Sequence, residues 1–182
     1  SYLVTGGLGG LGLAAAELLA ESGAKQLVLV GRNPPGRHAQ AAISRMQGLG
    51  TGVIAAQVDV ASEKEVAALV SKFGKEWPAL RGILHAAGLL DDGLLTELTS
   101  ERFQAVMAPK IKGAWNLHAL TLDQPLDFFV LYSSAASLLG SPGQANYAVA
   151  NSFLDSLAHH RRGRGLCGIS INWGPFAQVG ML

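Results

Sequence analysis

Residues 5–19 read TGGLGGLGLAAAELL, a glycine-rich turn between a short apolar run and a helix-forming run. The spacing Thr-Gly-x-x-x-Gly-x-Gly begins at Thr5 and ends at Gly12. Glycines suit this turn because the backbone must bend sharply and approach a pyrophosphate, while the following helix offers unpaired N–H groups and the positive end of its dipole. A nucleotide site is favoured over a plain turn. Its predicted residues are Thr5, Gly6, Gly7, Leu8, Gly9, Gly10, Leu11 and Gly12.

On the C-terminal side of this turn, strand-like and helix-like segments alternate along the whole chain. Strands are predicted at 2–4, 26–30, 53–58, 82–85, 127–132 and 167–172. Helices are predicted at roughly 11–22, 37–48, 62–75, 99–120 and 144–162. Near-continuous apolar strands such as QLVLV and FFVLY indicate a parallel sheet covered on both faces. The expected fold class is therefore α/β, a Rossmann-like doubly wound parallel sheet with strand order 3-2-1-4-5-6.

The composition is that of a single globular domain. The 182 residues are 49% apolar and 15% charged, and the formal net charge is +1, so no broad field favours nucleic acid or an anionic membrane. One cysteine, Cys167, allows no internal disulfide and fits a reducing compartment. No metal site is expected. No apolar run reaches the ~18 residues of a membrane span, so a soluble cytoplasmic chain is predicted.

The end of the second strand carries a cofactor-selecting signal. A carboxylate about 20 residues after the glycine turn would suit a free ribose 2′-hydroxyl, but Arg32 occupies this place. A planar guanidinium suits a phosphate, so NADPH is favoured over NADH, with a solvated surface arginine as the alternative. Asp59, beside Val60, either accepts from the adenine amino group or caps the next helix. The remaining predicted cofactor residues close the fourth strand: Ala86, Ala87 and Gly88.

The segment YAVAN, 147–151, places Tyr147 and Asn151 on the same helix face, and Ser134 precedes them in a strand-to-helix loop. A tyrosine with a pKa near 10 needs a nearby cation to work as an acid or base at neutral pH. Lys110 falls on an apolar stripe of the 99–120 helix, whereas Lys112 is about 200° around it. We therefore favour Lys110 as the catalytic cation over the alternative that it snorkels past the core rim.

These residues together resemble the ketoreductase domain of a modular polyketide synthase, a branch of the short-chain dehydrogenase/reductase fold. The resemblance rests on the glycine turn with Arg32 and on the segments HAAG, LDD, PKIKGAWNLH, YSS and NYAVAN, and it covers essentially all 182 residues. In that branch, lysine and asparagine have exchanged places relative to the free-standing enzymes. Lys110 and Asn151 match this exchange.

The resemblance implies a reaction and a role for each residue. NADPH would deliver hydride to the β-keto carbon of an acyl chain tethered through phosphopantetheine to an acyl carrier protein. Tyr147 would protonate the oxygen and Ser134 would hold it by a hydrogen bond. Lys110 would lower the pKa of the phenol and relay protons, and Asn151 would fix the lysine or a water.

The resemblance also implies a stereochemical outcome. The triplet Leu90–Asp92, with Leu139 rather than tryptophan before the tyrosine, resembles the B type, which yields the D-configured β-hydroxyl. Gln144 is assigned to the same substrate region. Val149 in place of proline indicates an α-substituent that is unepimerised or absent. From the residues alone, the alternative is that Asp91 and Asp92 form no more than a turn and a helix start.

The expected domain is a single catalytic subdomain, 1–182, cut from a larger multidomain chain beside other synthase domains. A preceding structural half, the C-terminal substrate lid and a last strand are expected to be missing, which would limit the activity of the fragment. Two alternatives remain open. One is a catalytically idle NADPH-binding scaffold, and the other is a free-standing reductase of a small alcohol or sugar.

Overall fold

The computed structural model describes residues 1–176, in which six parallel strands form one sheet. The strands are β1 (Tyr2–Thr5), β2 (Gln26–Gly31), β3 (Gly52–Gln57), β4 (Gly82–His85), β5 (Phe128–Ser134) and β6 (Ile169–Trp173). The helices are α1 (Gly10–Glu21), α2 (Arg37–Gly48), α3 (Glu63–Val70), α4 (Ser100–Met107), a π segment (Ala108–Lys112), α5 (Gly113–Leu120), α6 (Ala136–Leu139) and α7 (Ala145–Gly163). The order β3-β2-β1-β4-β5-β6 confirms the predicted fold.

Strand β2 is apolar from Leu27 to Val30 because it contributes side chains to two cores. In β2, Val28 and Val30 pack into the core beneath α3, α5 and α7, whereas Leu27 and Leu29 pack into the core beneath α1 and α2. All four side chains are at most 1% exposed. Side chains alternate between the two faces of a strand, so a sheet covered by helices on both faces needs an unbroken apolar run.

The strand order reverses at the middle of the sheet, where β1 pairs with β2 on one side and with β4 on the other. The connections leaving β1 and β4 therefore diverge and leave a crevice at the carboxyl ends of the strands. The glycine turn after β1 lies directly on the segment after β4. At Gly6 the φ angle is +67°, and a β-carbon there would lie 2.8 Å from the backbone of Ala86, so only glycine fits.

Two helix predictions differ from the structure. The helix predicted at 99–120 is interrupted by the π segment at Ala108–Lys112, where Pro109 lacks the N–H that a regular α-helical turn would use. The helix predicted at 62–75 ends at Val70, and Gly74 with φ +77° begins a reversal of the chain. The four-residue helix α6 was not predicted.

Two general findings concern the described residues. Within 1–176 no helix is both long and apolar enough to cross a membrane. The same residues contain no group of three or more His, Cys, Asp or Glu side chains that could hold a metal ion.

A buried arginine connects α7 to the sheet and to α5. The guanidinium of Arg161, 1% exposed, lies 3.8 Å from the ring centroid of Phe129. Its Nε donates to the carbonyl of Cys167 at 2.7 Å, and its Nη1 donates to Nδ1 of His118 at 2.9 Å. Because the arginine only donates, Nδ1 of His118 must be the unprotonated nitrogen.

We predict that this contact makes the fold acid-sensitive. Burial lowers the pKa of His118 to about 4, and the positive charge of Arg161 acts in the same direction. Between pH 6.5 and about 4, His118 is protonated in the unfolded chain but not in the folded chain. The free energy of unfolding therefore falls as the pH decreases through this range. The substitution His118→Asn keeps an acceptor for Arg161 without a titrating ring, and it should reduce this loss. Denaturant unfolding of both proteins at pH 7 and pH 5 measures the difference.

His85 contributes to the same acid range because burial lowers its pKa to about 3. The His118→Asn protein should therefore retain part of the acid loss. If its unfolding free energy changed with pH as much as that of the unsubstituted protein, His118 would not be the responsible group.

Candidate active site

A cleft of about 870 Å³ opens at the carboxyl ends of the strands, at the crevice between β1 and β4. Most residues assigned to a site from the sequence line it. They are Gly6, Leu8, Gly9, Gly10, Leu11, Gly12, Arg32, Asp59, Val60, Ala86, Ala87, Gly88, Leu90, Lys110, Ser134, Leu139, Gln144 and Tyr147. Five assigned residues do not line it: Thr5, Gly7, Asp91, Asp92 and Asn151.

Thr5 and Gly7 are buried within the glycine turn and do not line the cleft. The hydroxyl of Thr5 is fully buried and lies 2.7 Å from Nδ1 of His85. The N–H of Gly7 donates to the carbonyl of Val30 at 3.2 Å, and a β-carbon at Gly7 would lie 2.7 Å from the carbonyl oxygen of Val4. Both residues hold the turn in shape rather than facing a ligand.

The N-terminus of α1 faces the cleft without a partner of its own. Its N-cap, Gly9, is extended and makes no side-chain cap, and the first turn carries no acidic residue. A β-carbon at Gly12 would lie 2.3 Å from the carbonyl oxygen of Gly6, so this backbone approaches closely. The first N–H groups of a helix are unpaired and positive. This cradle therefore fits a pyrophosphate.

Arg32 is exposed at the end of β2, and among residues 1–176 its guanidinium makes no ion pair. It is free to bind an anion in the cleft. Asp59 does not cap α3, because Ser62 is the N-cap residue. Its Oδ1 accepts from the N–H of Ala61 at 2.9 Å, and its own N–H donates to Glu65. Asp59 is thus held at the cleft rim by a local turn.

Lys110 is turned into the protein as the sequence predicted, since its side chain is 2% exposed while that of Lys112 is exposed. Its Nζ donates to the carbonyl of Tyr132 at 2.9 Å and lies 5.5 Å from the ring centroid of Tyr147. Lys110 sits in the middle of the π segment, whose wider turn shifts the buried face of the helix. In α4 the buried residue is Val106.

Burial governs the charges at this place. It lowers the pKa of Lys110 to about 8, and Asp155 acts in the opposite direction. Burial also raises the pKa of Tyr147, with Asn151 and Ser134 acting in the opposite direction. Desolvation of the phenolate outweighs these two hydrogen bonds. Tyr147 therefore holds its proton at neutral pH. The lowering of the phenol pKa by Lys110, which the resemblance implies, stays a prediction.

Asn151 lies behind Tyr147 rather than in the cleft. It is fully buried, and its Nδ2 donates to the carbonyl of Tyr147 at 2.8 Å. Its Oδ1 has no hydrogen-bond partner among the described residues. A buried unpaired amide oxygen is costly, and it offers the acceptor that a water or an ammonium group would use. This agrees with the predicted role of fixing a lysine or a water, which stays a prediction.

The Leu90–Asp92 segment is tied down from two sides. Asp91 accepts from Nε of Arg102 at 2.9 Å, and Asp92 accepts from Nε2 of Gln144 at 2.9 Å. The amide of Asn146 donates to the carbonyl of Asp91 at 2.8 Å. No helix begins at these aspartates, since α4 begins at Ser100, so the alternative of a helix start is not observed. The two carboxylates fix this cleft wall to α4 and to the start of α7.

The apolar side of the cleft mouth is formed by Leu139, which is 85% exposed on α6.

Sequence reasoning missed Arg102, Asp155 and Asn172. The spacing of Tyr147, Asn151 and Asp155 by four residues could have indicated Asp155. Asn172 lies far from the site residues in sequence. Arg102 is close to Asp91 in sequence, but only the fold shows that the two side chains pair. The prediction that a C-terminal lid and a last strand are missing concerns the chain beyond residue 176 and lies outside the described residues.

Comparison with known proteins gives consistent results. A family model described as "KR domain" matches residues 1–178. The chain is 45% identical over 180 residues to a mycocerosic acid synthase-like polyketide synthase of Mycobacterium tuberculosis, covering 99% of the chain and 8% of that protein. It is 42% identical to the phthioceranic/hydroxyphthioceranic acid synthase of Mycobacterium bovis, covering 100% of the chain and 9% of that protein.

Among solved structures, A-type ketoreductases from a modular polyketide synthase superpose with a TM-score of 0.95 at 42% identity. The match covers 100% of this chain and 39% of the solved one. The chain thus spans less than a tenth of these curated relatives and two fifths of that structure. With a family model over nearly its whole length and a cleft built as described above, this chain belongs to the KR domain family of polyketide synthases.

Proposed function

We propose that this domain reduces a β-ketoacyl thioester, carried on an acyl carrier protein, to the D-configured β-hydroxyacyl thioester with NADPH. Family membership supports the coarser part, because KR domains are nicotinamide-dependent reductases. The observation that carries the proposal is the buried ammonium of Lys110 over the ring of Tyr147, a cleft-lining phenol beside Ser134. A cation, a phenol and a hydroxyl are the donor set needed to polarise and protonate a carbonyl oxygen.

The cofactor cradle fits NADPH. The uncapped N-terminus of α1 would hold the pyrophosphate, and Arg32 would bind the 2′-phosphate. Asp59 and the segment from Ala86 to Gly88 line the same cleft and would complete the cofactor site. When bound, NADPH supplies the hydride that reduces the carbonyl carbon.

The protein's own groups handle the oxygen. Ser134 Oγ accepts from the N–H of Ala136 at 3.2 Å, so its hydroxyl proton remains available to a carbonyl oxygen. Tyr147 holds its proton, because burial raises the pKa of the phenol, and it is therefore ready to act as the acid. Once the proton leaves, Lys110 stabilises the phenolate by its charge. The near-neutral pKa of Lys110, about 8, suits a group that then returns a proton to the phenol.

The D-configuration, or B type, rests on the Leu90–Asp92 triplet and on Leu139. The overall backbone does not distinguish the types, because A-type ketoreductases superpose on this chain with a TM-score of 0.95. The two tied aspartates hold one part of the cleft wall in place, and the exposed Leu139 supplies an apolar side chain to the lining. A substrate bound against both would be held in one orientation, which would give one product configuration.

The activity is tested by NADPH oxidation with the intact synthase and a β-ketoacyl thioester. Turnover is expected, Tyr147→Phe should lower it at least ~100-fold because the proton donor is lost, and chiral analysis should identify the D-hydroxy product. Turnover no greater than that of Tyr147→Phe would favour an idle scaffold. Equal efficiency with carrier-bound and free substrate would favour a reductase of small diffusible substrates, and an L-hydroxy product would refute the B type.

The two lysines near the π segment provide a matched comparison. Lys110→Ala should lower kcat by at least ~100-fold because the buried cation beside the phenol is lost. Lys112→Ala should leave kcat within about twofold because that side chain is in solvent. Steady-state kinetics of both variants measure kcat. Similar losses of kcat would contradict the argument that only the buried lysine takes part in catalysis.

The cofactor preference depends on Arg32. The substitution Arg32→Ala should reduce the ratio of kcat/KM for NADPH to that for NADH by about 10- to 100-fold, because a charge-assisted contact to phosphate is removed. Arg37→Ala, an exposed arginine at the start of α2 outside the cleft lining, is the control and should leave the ratio unchanged. An unaltered ratio in Arg32→Ala would mean that this arginine does not read the phosphate.

A further inference from the structure

A polar network lies behind the proposed catalytic residues, and its centre is Asp155. This residue follows Tyr147 and Asn151 at intervals of four along α7, so the three share one helix face. The Asp155 carboxylate accepts from Ser137 Oγ at 2.6 Å and from Ser170 Oγ at 2.5 Å. It also lies 3.0 and 3.1 Å from Nδ2 of Asn172.

Asn172, on β6, connects this carboxylate to the strand that carries Ser134. Its Nδ2 lies 2.9 Å from Ser137 Oγ, 3.2 Å from Ser133 Oγ and 3.3 Å from the carbonyl oxygen of Ser134. Ser133 Oγ in turn donates to the carbonyl of Asn151 at 3.2 Å. The network therefore joins β5, α6, α7 and β6, and the first and third of these elements carry Ser134 and Tyr147.

Asp155 keeps its negative charge in this setting. Burial raises the pKa of its carboxyl group, but hydrogen bonds from Ser137, Ser170 and Asn172 outweigh burial and hold the pKa below its ordinary value. Its hydrogen-bond partners among the described residues are all neutral. Lys110 is the buried cation on which this charge acts, and there it opposes the loss of the proton.

We propose that Asp155 is a positioning residue that, through Asn172, holds Ser134 in place behind the cleft. The proposal rests on the proposed function of Lys110, Ser134 and Tyr147, and it assigns to that site a residue that does not line the cleft. The charge of Asp155 also acts on Lys110, whereas a purely structural role, which would only attach β6 to α7, would have no effect on the charge of the lysine.

The pH dependence of kcat separates these roles in the intact synthase. Asp155→Asn keeps the shape of the side chain and removes its charge, so kcat should fall about tenfold or more, and the alkaline limb of the profile should move to lower pH by about 0.5 unit. Asp155→Glu should keep the limb near its original pH, even with a lower kcat, because the charge is retained. Asp123→Asn, an exposed aspartate before β5, is the charge-matched control and should match the unsubstituted protein.

The tie to Ser134 is tested by Asn172→Ala. This variant leaves the charge of Asp155 in place, so kcat should fall while the alkaline limb stays unmoved and KM for NADPH stays within about twofold. An unmoved limb in Asp155→Asn, or a shift of equal size in Asp155→Glu, would overturn the electrostatic role. An unchanged kcat in Asn172→Ala would overturn the tie.

A direct titration keeps this proposal separate from the proposed function. The pKa of Lys110, followed by NMR of labelled lysine side chains, should be lower in Asp155→Asn than in the unsubstituted protein. A lower value together with no turnover in the unsubstituted protein would sustain the charge coupling and refute the reductase. An equal value in an active, folded Asp155→Asn protein would refute the coupling and leave the reductase standing. If Asp155→Asn fails to fold, Asp155→Glu and Asn172→Ala decide.

Discussion

The buried ammonium group of Lys110 constrains the rest of the site. A lysine out of water loses hydration that must be replaced, and here the carbonyl of Tyr132, the ring of Tyr147 and the charge of Asp155 replace it. The first lies on β5 and the other two lie on α7, so the cation can remain buried only where these elements meet the π segment. The same burial that lowers the pKa of the lysine raises that of the phenol. The result is a protonated donor next to a cation that can stabilise the anion left behind.

The sheet supplies the other half of the site. The reversal of strand order between β1 and β4 places the glycine turn against the segment after β4. The uncapped N-terminus of α1 then faces the cleft that Lys110 and Tyr147 also line. A helix N-terminus that fits an anionic group and the protonated phenol of Tyr147 therefore share one cavity. The glycine turn and the pair formed by Lys110 and Tyr147 share no residue. The two ends of such a cleft can therefore vary independently.

Helix α7 determines the spacing of the site. Tyr147 lines the cleft, Asn151 lies one turn behind it, and Asp155 anchors the next turn to β6 and α6. At the opposite end, Gln144 and Asn146 tie the start of this helix to the Leu90–Asp92 segment. One helix thus carries Tyr147 and contacts both the Leu90–Asp92 segment and the polar side chains of α6 and β6. A shift of α7 would move all of these together, so the many ties that hold it are consistent with a site that needs sub-ångström placement.

The sequence by itself determined the fold class and most of the cleft lining. Apolar strands, the glycine spacing and the helix periods are local patterns. They correctly predicted the strand order, the glycine turn, the burial of Lys110 and the exposure of Lys112. Tertiary structure alone decided that Thr5 and Gly7 are buried within the turn and that Lys110 lies on a π segment. It also decided that Arg102, Asp155 and Asn172 belong to the surroundings of the site. It also decided that burial outweighs the hydrogen bonds of Asn151 and Ser134 in the pKa of Tyr147. Desolvation and long-range hydrogen bonds depend on which atoms meet across distant segments, and no local pattern of residues encodes that.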